Sequence, residues 1–258
     1  MIVLKWLACM LVGYLLGNFS PAYLFGKTKG YDIREEGSGN VGATNAFILV
    51  GKYAFFITAA LDILKSYAAW KLGQMLFPTL AAAGPLAAAA CVIGHMYPVF
   101  LGFKGGKGLA CLGGAILAWN GKWFFILLAA AIAIAFVTRY VCLVAPTMSI
   151  VFPACYYWKT GSLSTALILL LPAIPIFVKH RENFIHIREG TEMRTSFIWN
   201  KEVELKRIGQ WNEKTIEQLE RRGRSDGCRS FPQGRRHGSA PGFIDALSAL
   251  YCDQDLLQ

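Results

Sequence analysis

The sequence predicts an all-α polytopic membrane protein with about seven transmembrane helices, and three observations support this. First, 55% of the 258 residues are hydrophobic and the mean hydropathy is +0.41, which is high for a protein with a wet surface. Second, residues 1–178 contain only four acidic side chains, whereas twelve follow from 179 onward. Third, apolar runs alternate with short polar or glycine-rich segments along the first part of the chain.

The apolar runs have the lengths of membrane helices. A hydrocarbon core about 30 Å thick takes ~20 residues, and a short or broken helix takes fewer. Helices are favoured over open strands because lipid leaves no partner for an unpaired backbone group. The first run lacks a clear basic segment before it, which favours a transmembrane helix over a cleaved signal peptide. The predicted spans are 2–25, 52–77, 80–101, 108–120, 122–138, 141–158 and 162–178.

Lysine and arginine concentrate in the odd-numbered loops and after the last span. The positive-inside rule then predicts an outside N-terminus, with the odd loops and the tail in the cytoplasm. We predict a membrane domain over 1–195 and a charged cytoplasmic tail over 196–258. The tail is rich in Gly, Ser and Arg, a composition that buries no core and predicts disorder.

The net charge of +10 favours anionic partners. Nucleic acid is an unsuitable partner for a body with so little water-facing surface, so membrane lipid or a phosphorylated substrate fits better. Five of the seven cysteines lie in apolar runs and no CxxC pair occurs. We therefore expect small packing residues there, with no metal and no cofactor.

The first loop contains EEGSGNVGATNA, residues 35–46. Its glycines free the backbone for tight turns in which N–H groups converge on an anion. Side-chain donors are added by Ser38, Asn40, Thr44 and Asn45. A flexible connector is the alternative interpretation of this composition.

The third loop, residues 94–110, places lysines and glycines directly before a predicted helix. Helix N-termini present unpaired N–H groups and a positive dipole end, which suits phosphate. The spacing differs from that of a Walker A loop. His95 lies where the third span meets this loop, and a structural role for it is the alternative. The residues of the glycine-rich segment, called the glycine loop below, are Lys104, Gly105, Gly106, Lys107 and Gly108.

Two further polar groups belong to the predicted helices. In KHRENFIHIREGTEMR, residues 179–194, His180 and Asn183 are three apart and share a helix face; a basic interfacial helix is the alternative. In the second span, Asp62 and Lys65 are also three apart. Charges inside a membrane are costly unless paired or functional, so we expect a structural ion pair; anchoring of the neighbouring polar loops by these residues is the alternative interpretation.

Together, SGNVGATN, GHMYPVFLGFKGGKG and HRENFIHIREGTE resemble the PlsY family of bacterial membrane acyltransferases, over about residues 1–195. The resemblance implies seven helices in the cytoplasmic membrane of a bacterium, with an outside N-terminus and three cytoplasmic motifs. It implies transfer of an acyl chain from acyl-phosphate to glycerol 3-phosphate, which gives lysophosphatidic acid and phosphate. The transfer would be a single displacement, with the hydroxyl proton passing to a phosphate oxygen or to His180.

The resemblance also implies roles for individual residues. The catalytic residues would be Ser38, Lys104 and His180. The substrate-binding residues would be Asn40, Thr44, Asn45, His95, Gly105, Gly106, Lys107, Gly108, Asn183 and Glu192.

The chain departs from the family pattern at several positions. Ile48 stands where the family usually has an arginine, and the next base is Lys52, one turn on. Cys142 and Ala145 stand where serines are frequent. These departures leave open a catalytically weakened or altered paralogue that binds phospholipid or acyl-phosphate. A transporter is a third alternative, disfavoured because a midplane site on broken helices is expected of one.

Overall fold

The computed structural model describes residues 2–198, which form helices and connecting loops with no strand among them. The all-α prediction is confirmed for this part of the chain. The chain divides into two units, Met1–Glu189 and Gly190–Gln258. The predicted boundary after residue 195 stays a prediction, because the tail from 199 onward lies outside the described residues.

The first unit contains eleven α-helices, and the short 3-10 helices Val99–Leu101 and Val141–Leu143 lie between them. The α-helices are α1 (Ile2–Asn18), α2 (Pro21–Thr28), α3 (Ala43–Leu49), α4 (Lys52–Leu76), α5 (Ala83–Met96), α6 (Leu109–Trp119), α7 (Gly121–Thr138), α8 (Val144–Thr160), α9 (Leu163–Leu170), α10 (Ala173–Lys179) and α11 (Arg181–Glu189). In the second unit, the 3-10 helix Thr195–Ile198 is described.

Two predicted spans are broken helices. The first breaks between α1 and α2, where the Ser20 side chain caps the Tyr23 N–H at 3.4 Å and Pro21 occupies the first helical position. Pro21 is well suited to that position because its missing N–H would be unpaired there anyway. The last predicted span breaks between α9 and α10 at Leu171 and Pro172. A third bend, of 46°, separates Leu163–Lys179 from α11.

Four helical segments are long and apolar enough to cross a bilayer, and the bent pair from Leu163 to Glu189 is a fifth if counted as one span. These four are Ile2–Thr28, Ala83–Leu101, Gly121–Thr138 and Val141–Thr160. The protein is thus a multi-pass membrane protein, while the count of seven spans stays a prediction. The helix α6 is short, at 11 residues, or about 16 Å of rise. The helix α4 is long, but Asp62 and Lys65 lower its hydropathy.

Glycines allow the helices that carry the loops to approach closely. On α1, a side chain at Gly13 would overlap the Ala87 carbonyl of α5, and one at Gly17 would overlap the Cys91 carbonyl. On α6, a side chain at Gly114 would overlap the Ile63 carbonyl of α4. Backbone packing of this kind is common between membrane helices because small residues there maximise van der Waals contact.

Two buried apolar clusters lie under the loops. One supports the first loop and consists of Ala22, Ile33, Val41, Ala46, Ala54 and Leu101. The other supports the glycine loop and consists of Val92, Met96, Cys111, Leu112, Ala145 and Ile176.

We expect Gly114→Ala to destabilise the protein by about 1–3 kcal/mol, because the added methyl forces α6 away from α4. Gly113→Ala is the matched control, since its methyl would lie at an ordinary 3.7 Å from the Phe124 ring. Thermal unfolding in detergent, followed by tryptophan fluorescence, measures both. Equal midpoints for the two variants would contradict the close α4–α6 contact.

Candidate active site

Asn45 organises the first loop. Its buried amide donates to the carbonyls of Ile33 at 3.1 Å and Glu36 at 3.0 Å, and its oxygen accepts from the Ser38 N–H at 3.1 Å. Ser38 and Thr44 are exposed, and Asn40 is half-buried. The structure therefore gives Asn45 the role of holding the loop, while Ser38 and Thr44 present hydroxyls to solvent.

Arg34 ties the first loop to the segment before the glycine loop. Its guanidinium donates to the Asp32 carboxylate at 2.9 and 2.5 Å and to the Leu101 carbonyl at 2.9 Å. The hydrogen bonds and charge of Arg34 hold the pKa of Asp32 well below its ordinary value, at about 2. A carboxylate with a lowered pKa contributes stability above its unfolded pKa and loses it as the pH falls toward 2. This tie is therefore intact at neutral pH.

The glycine loop is fixed to the end of α5. The Gly106 N–H donates to the His95 carbonyl at 3.1 Å, and the Lys104 N–H donates to Leu101 at 3.3 Å. Gly105, Gly106 and Gly108 are buried, whereas Lys104 is exposed. Gly108 is the N-cap of α6 and has φ +87°, a conformation that favours glycine. The loop thus leads into a helix N-terminus, as the sequence predicts.

Below the loop lies the predicted ion pair between Asp62 and Lys65, with Nζ 2.7 Å from Oδ1. The expected pairing of these charges is confirmed. Asp62, His95 and Cys111 bring ligand-type atoms within 4.8 Å of one another. The Lys65 ammonium already neutralises this cluster, and a divalent cation would meet its charge at close range. The residues present do not fit a resident metal.

The third motif contacts the glycine loop through two lysines. Lys107 Nζ donates to Asn183 Oδ1 at 2.5 Å, and Lys179 Nζ donates to the Gly105 carbonyl at 3.1 Å. His180 is buried, and its Nδ1 lies 2.7 Å from the Ile176 carbonyl. Because a carbonyl only accepts, Nδ1 carries the proton and Nε2 of the neutral ring is an acceptor.

The first and second motifs meet at Gly106, while the third motif contacts the neighbouring Gly105 and Lys107. A side chain there would overlap the His95 ring and lie 2.9 Å from the Val41 carbonyl of the first loop. Sequence reasoning missed Val41 and Lys179. Lys179 lies between the last predicted span and His180 in the sequence, which was the available signal. Glu192 belongs to the second unit, so its role stays a prediction.

Two of the residues that depart from the family pattern are buried. Ile48 is buried on α3, and Ala145 is buried in the cluster under the glycine loop. Lys52 is exposed, with Nζ 5.7 Å from the centre of the Tyr53 ring. The described contacts of Lys52 are therefore with α4 itself. Lys104, Lys107 and Lys179 supply the positive charge at the loop.

The protein is a multi-pass helical body, and its loops gather lysines, glycine backbone and a neutral histidine. This arrangement is that of an integral membrane enzyme that handles a phosphorylated substrate. Residues 7–190 match the glycerol-3-phosphate acyltransferase family. The chain belongs to this family, and it is an acyltransferase. The resemblance carried by the three motifs is thereby confirmed.

Relatives and solved structures agree. The glycerol-3-phosphate acyltransferase of Sinorhizobium medicae is 36% identical over 73% of this chain and 91% of its own. The glycerol-3-phosphate acyltransferase of Geobacillus kaustophilus is 38% identical over 73% of this chain and 95% of its own. Solved structures of PlsY, an integral membrane glycerol 3-phosphate acyltransferase, also align with this chain. The glycerol 3-phosphate form aligns with a TM-score of 0.69 at 31% identity, and the alignment covers 75% of this chain and 96% of PlsY. The lysophosphatidic acid form of PlsY aligns with a TM-score of 0.66, also at 31% identity, and covers 73% of this chain and 94% of PlsY.

We expect Gly106→Ala to lower acyltransferase activity by roughly 100-fold, since displacing a loop of the candidate site by about 1 Å has effects of this size. Gly121→Ala is the control, because a methyl there meets no atom within 4 Å. The rate of lysophosphatidic acid formation measures both. Full activity in a folded Gly106→Ala protein would show that the meeting point of the motifs is not part of the site.

Proposed function

We propose that this chain transfers an acyl chain from acyl-phosphate to glycerol 3-phosphate, giving lysophosphatidic acid and phosphate for phospholipid biosynthesis. One observation carries the proposal. Lysines of the second and third motifs bridge the two motifs, through Lys107 to Asn183 and Lys179 to Gly105. This bridging gathers the lysines and the glycine-loop backbone of two motifs into one region.

The donor binds at the glycine loop. The first N–H groups of α6 have no partner within the helix and point along its positive dipole end. Lys107 and Lys179 add positive charge beside them. An acyl-phosphate bound there keeps its chain in the membrane, since the helices expose large apolar side chains to lipid.

The acceptor binds between the exposed Lys104 and the third motif. Lys104 neutralises the phosphate of glycerol 3-phosphate, while His180 and Asn183 provide directed hydrogen bonds. Ser38 lies in the first loop, whose end at Val41 approaches Gly106. Ser38 then hydrogen-bonds close to the reacting groups.

The transfer is a single displacement. The free hydroxyl oxygen attacks the acyl carbonyl, and the carbon–oxygen bond to phosphate breaks. The hydroxyl proton passes to Nε2 of His180 or to an oxygen of the departing phosphate. No covalent enzyme intermediate is needed because an acyl-phosphate is already activated, so the protein contributes proximity and cationic stabilisation.

We place the protein in the cytoplasmic membrane of a bacterium, with the N-terminus outside and the three motifs in the cytoplasm. The distribution of lysine and arginine over the loops supports this orientation. Both proposed substrates are then reached from one face of the membrane.

A second candidate function is a weakened or altered paralogue that binds phospholipid or acyl-phosphate without efficient turnover. Ile48 favours it, because an aliphatic side chain stands where the family usually has an arginine. A lost charge-assisted hydrogen bond typically removes about 1.5–3 kcal/mol. Turnover of the purified protein separates the two functions.

We expect Lys104→Ala to lower kcat/KM for glycerol 3-phosphate by about 10- to 100-fold, since one charged contact to phosphate is lost. Lys122→Ala, which removes an exposed lysine from the first turn of α7, is the control and keeps the wild-type value. Palmitoyl-phosphate and glycerol 3-phosphate are supplied to purified protein, and lysophosphatidic acid is quantified. A wild type no faster than Lys104→Ala would refute the proposed activity.

We expect Ile48→Arg to raise kcat/KM for glycerol 3-phosphate by about tenfold, the effect of one added charge-assisted contact. Ile48→Met is the matched control, because it keeps an apolar side chain of similar volume. The same product assay measures both variants. An unchanged rate in a folded Ile48→Arg protein would show that Lys104, Lys107 and Lys179 already suffice.

A further inference from the structure

Three large apolar side chains lie exposed just before the glycine loop. Val99, Phe100 and Phe103 are 44%, 75% and 57% exposed, and they are called the apolar lip below. Leu101 between them is buried, and its carbonyl accepts from Arg34 at 2.9 Å. The backbone that carries the lip is therefore fixed to the first loop. Apolar side chains exposed together usually mark contact with a membrane, a ligand or a protein.

The lip overlaps the apolar segment Ala83–Leu101, which is long enough to cross a bilayer. The helix that follows it, α6, begins at Leu109, five residues before Gly114, whose added side chain would overlap the Ile63 carbonyl of α4. Five residues rise about 8 Å. Ile63 lies eleven residues, or about 16 Å, from the start of α4 at Lys52. The helix α6 therefore begins roughly 8 Å inside that end of α4.

The outer surface of α4 is apolar over the stretch that reaches beyond α6. Tyr53, Phe56 and Ile57 are all exposed there, and tyrosine is a residue type of the membrane–water interface. The helix α5 ends equally deep, since His95 Nδ1 lies 3.4 Å from Asp62 Oδ1 in the middle of α4. The connection between α5 and α6 thus lies at the level of hydrocarbon, and its exposed lip faces lipid chains rather than water.

The backbone of the lip has a conformation that phenylalanine rarely adopts. Gly102 and Phe103 both have φ +61°, and a bulky residue in this region is strained. The Phe103 N–H donates to the Pro98 carbonyl at 2.9 Å, which closes the turn. Strain of this kind is typical of ligand-binding sites, where the surrounding structure holds it. An α-helix presents phenylalanines to bulk lipid without strain, so contact with bulk lipid leaves this turn unexplained.

We propose that the apolar lip receives the acyl chain of the donor, which enters the glycine loop sideways from the bilayer. The lip and the lysines of the glycine loop match the two parts of such a molecule, a long apolar chain and a phosphate. The Cα atoms of Phe103 and Gly105, two residues apart, are separated by at most about 7 Å. A phosphate held at the glycine loop therefore places the first carbons of its chain within reach of the Phe103 ring. This inference rests on the proposed function, in that the glycine loop holds the acyl-phosphate.

The first test asks whether the lip lies in lipid. 4-Trifluoromethylphenylalanine is placed at position 100 or 103 of the full chain, in nanodiscs of phosphatidylethanolamine and phosphatidylglycerol. Relaxation of its ¹⁹F signal is measured with oxygen, which concentrates in lipid, and with a water-soluble nickel chelate. The label at Phe125, exposed on α7, is the lipid reference, and the label at Lys29, exposed in the first loop, is the water reference.

We expect both lip positions to relax with oxygen as position 125 does. Relaxation by the nickel chelate as at position 29 would overturn the proposal, whether or not the protein proves to be an enzyme.

The second test measures binding of hexadecyl phosphate, which has a long chain and a phosphate but no acyl group to transfer. Phe103→Gly removes the ring and relieves the backbone, since glycine adopts positive φ freely. We expect its Kd to rise about tenfold, the effect of one lost methylene contact, while its thermal unfolding midpoint does not fall. Phe100→Ala raises the Kd similarly. Phe125→Ala, which removes a comparably exposed phenylalanine from α7, is the matched control and keeps the wild-type Kd.

A wild type that does not bind hexadecyl phosphate, or a Kd that is equal in wild type and in the lip variants, would overturn the proposal. An equal rise in the KM for glycerol 3-phosphate would also overturn it, because a distorted site loses both substrates. If wild-type protein makes no lysophosphatidic acid, the proposed function fails, and the Kd comparison still decides this inference. Phe103→Gly decides it alone if Phe100→Ala does not fold.

Discussion

The hydrogen bond from the Gly106 N–H to the His95 carbonyl ties the glycine loop to the end of α5, and the other parts of the site are arranged around it. A segment this rich in glycine has many unfolded conformations to lose, so it keeps one shape only when neighbours hold it. Lys179 holds it at Gly105, and Val41 of the first loop closes over Gly106. The shape of the glycine loop is thus a property of three motifs together.

The membrane explains why so many of these contacts use backbone carbonyls. Polar side chains are few in an apolar body, whereas the end of each helix leaves carbonyls that can accept a hydrogen bond from a side chain. Lys65 uses two of them at the α1–α2 break, Arg34 uses the Leu101 carbonyl, and His180 uses that of Ile176. Breaks, bends and short helices therefore lie close to the residues proposed to bind substrate.

Much of this arrangement could be predicted from the sequence, because apolar runs, glycine-rich loops and lysines each have a local signature. The pairing of Asp62 with Lys65 followed from their spacing of three. The breaks at Ser20 and Pro172 were not predicted, since hydropathy alone does not distinguish a bent span from a straight one. Neither was the contact of Val41 with Gly106, because it joins residues far apart in the chain and no local pattern encodes it. The shortness of α6 was not predicted either, since the length of a helix inside the bundle depends on its packing.

The central claim is that one site brings an activated acyl group and a phosphorylated acceptor together for direct transfer. The most direct measurement is phosphate release from palmitoyl-phosphate by the purified protein, with and without glycerol 3-phosphate. Direct transfer predicts that one phosphate is released for each lysophosphatidic acid formed. It also predicts no stoichiometric burst of phosphate when the acceptor is absent. A burst of one phosphate per protein without acceptor would reveal a covalent acyl-enzyme. Phosphate release without any lysophosphatidic acid would reveal a hydrolase. Either result would contradict direct transfer.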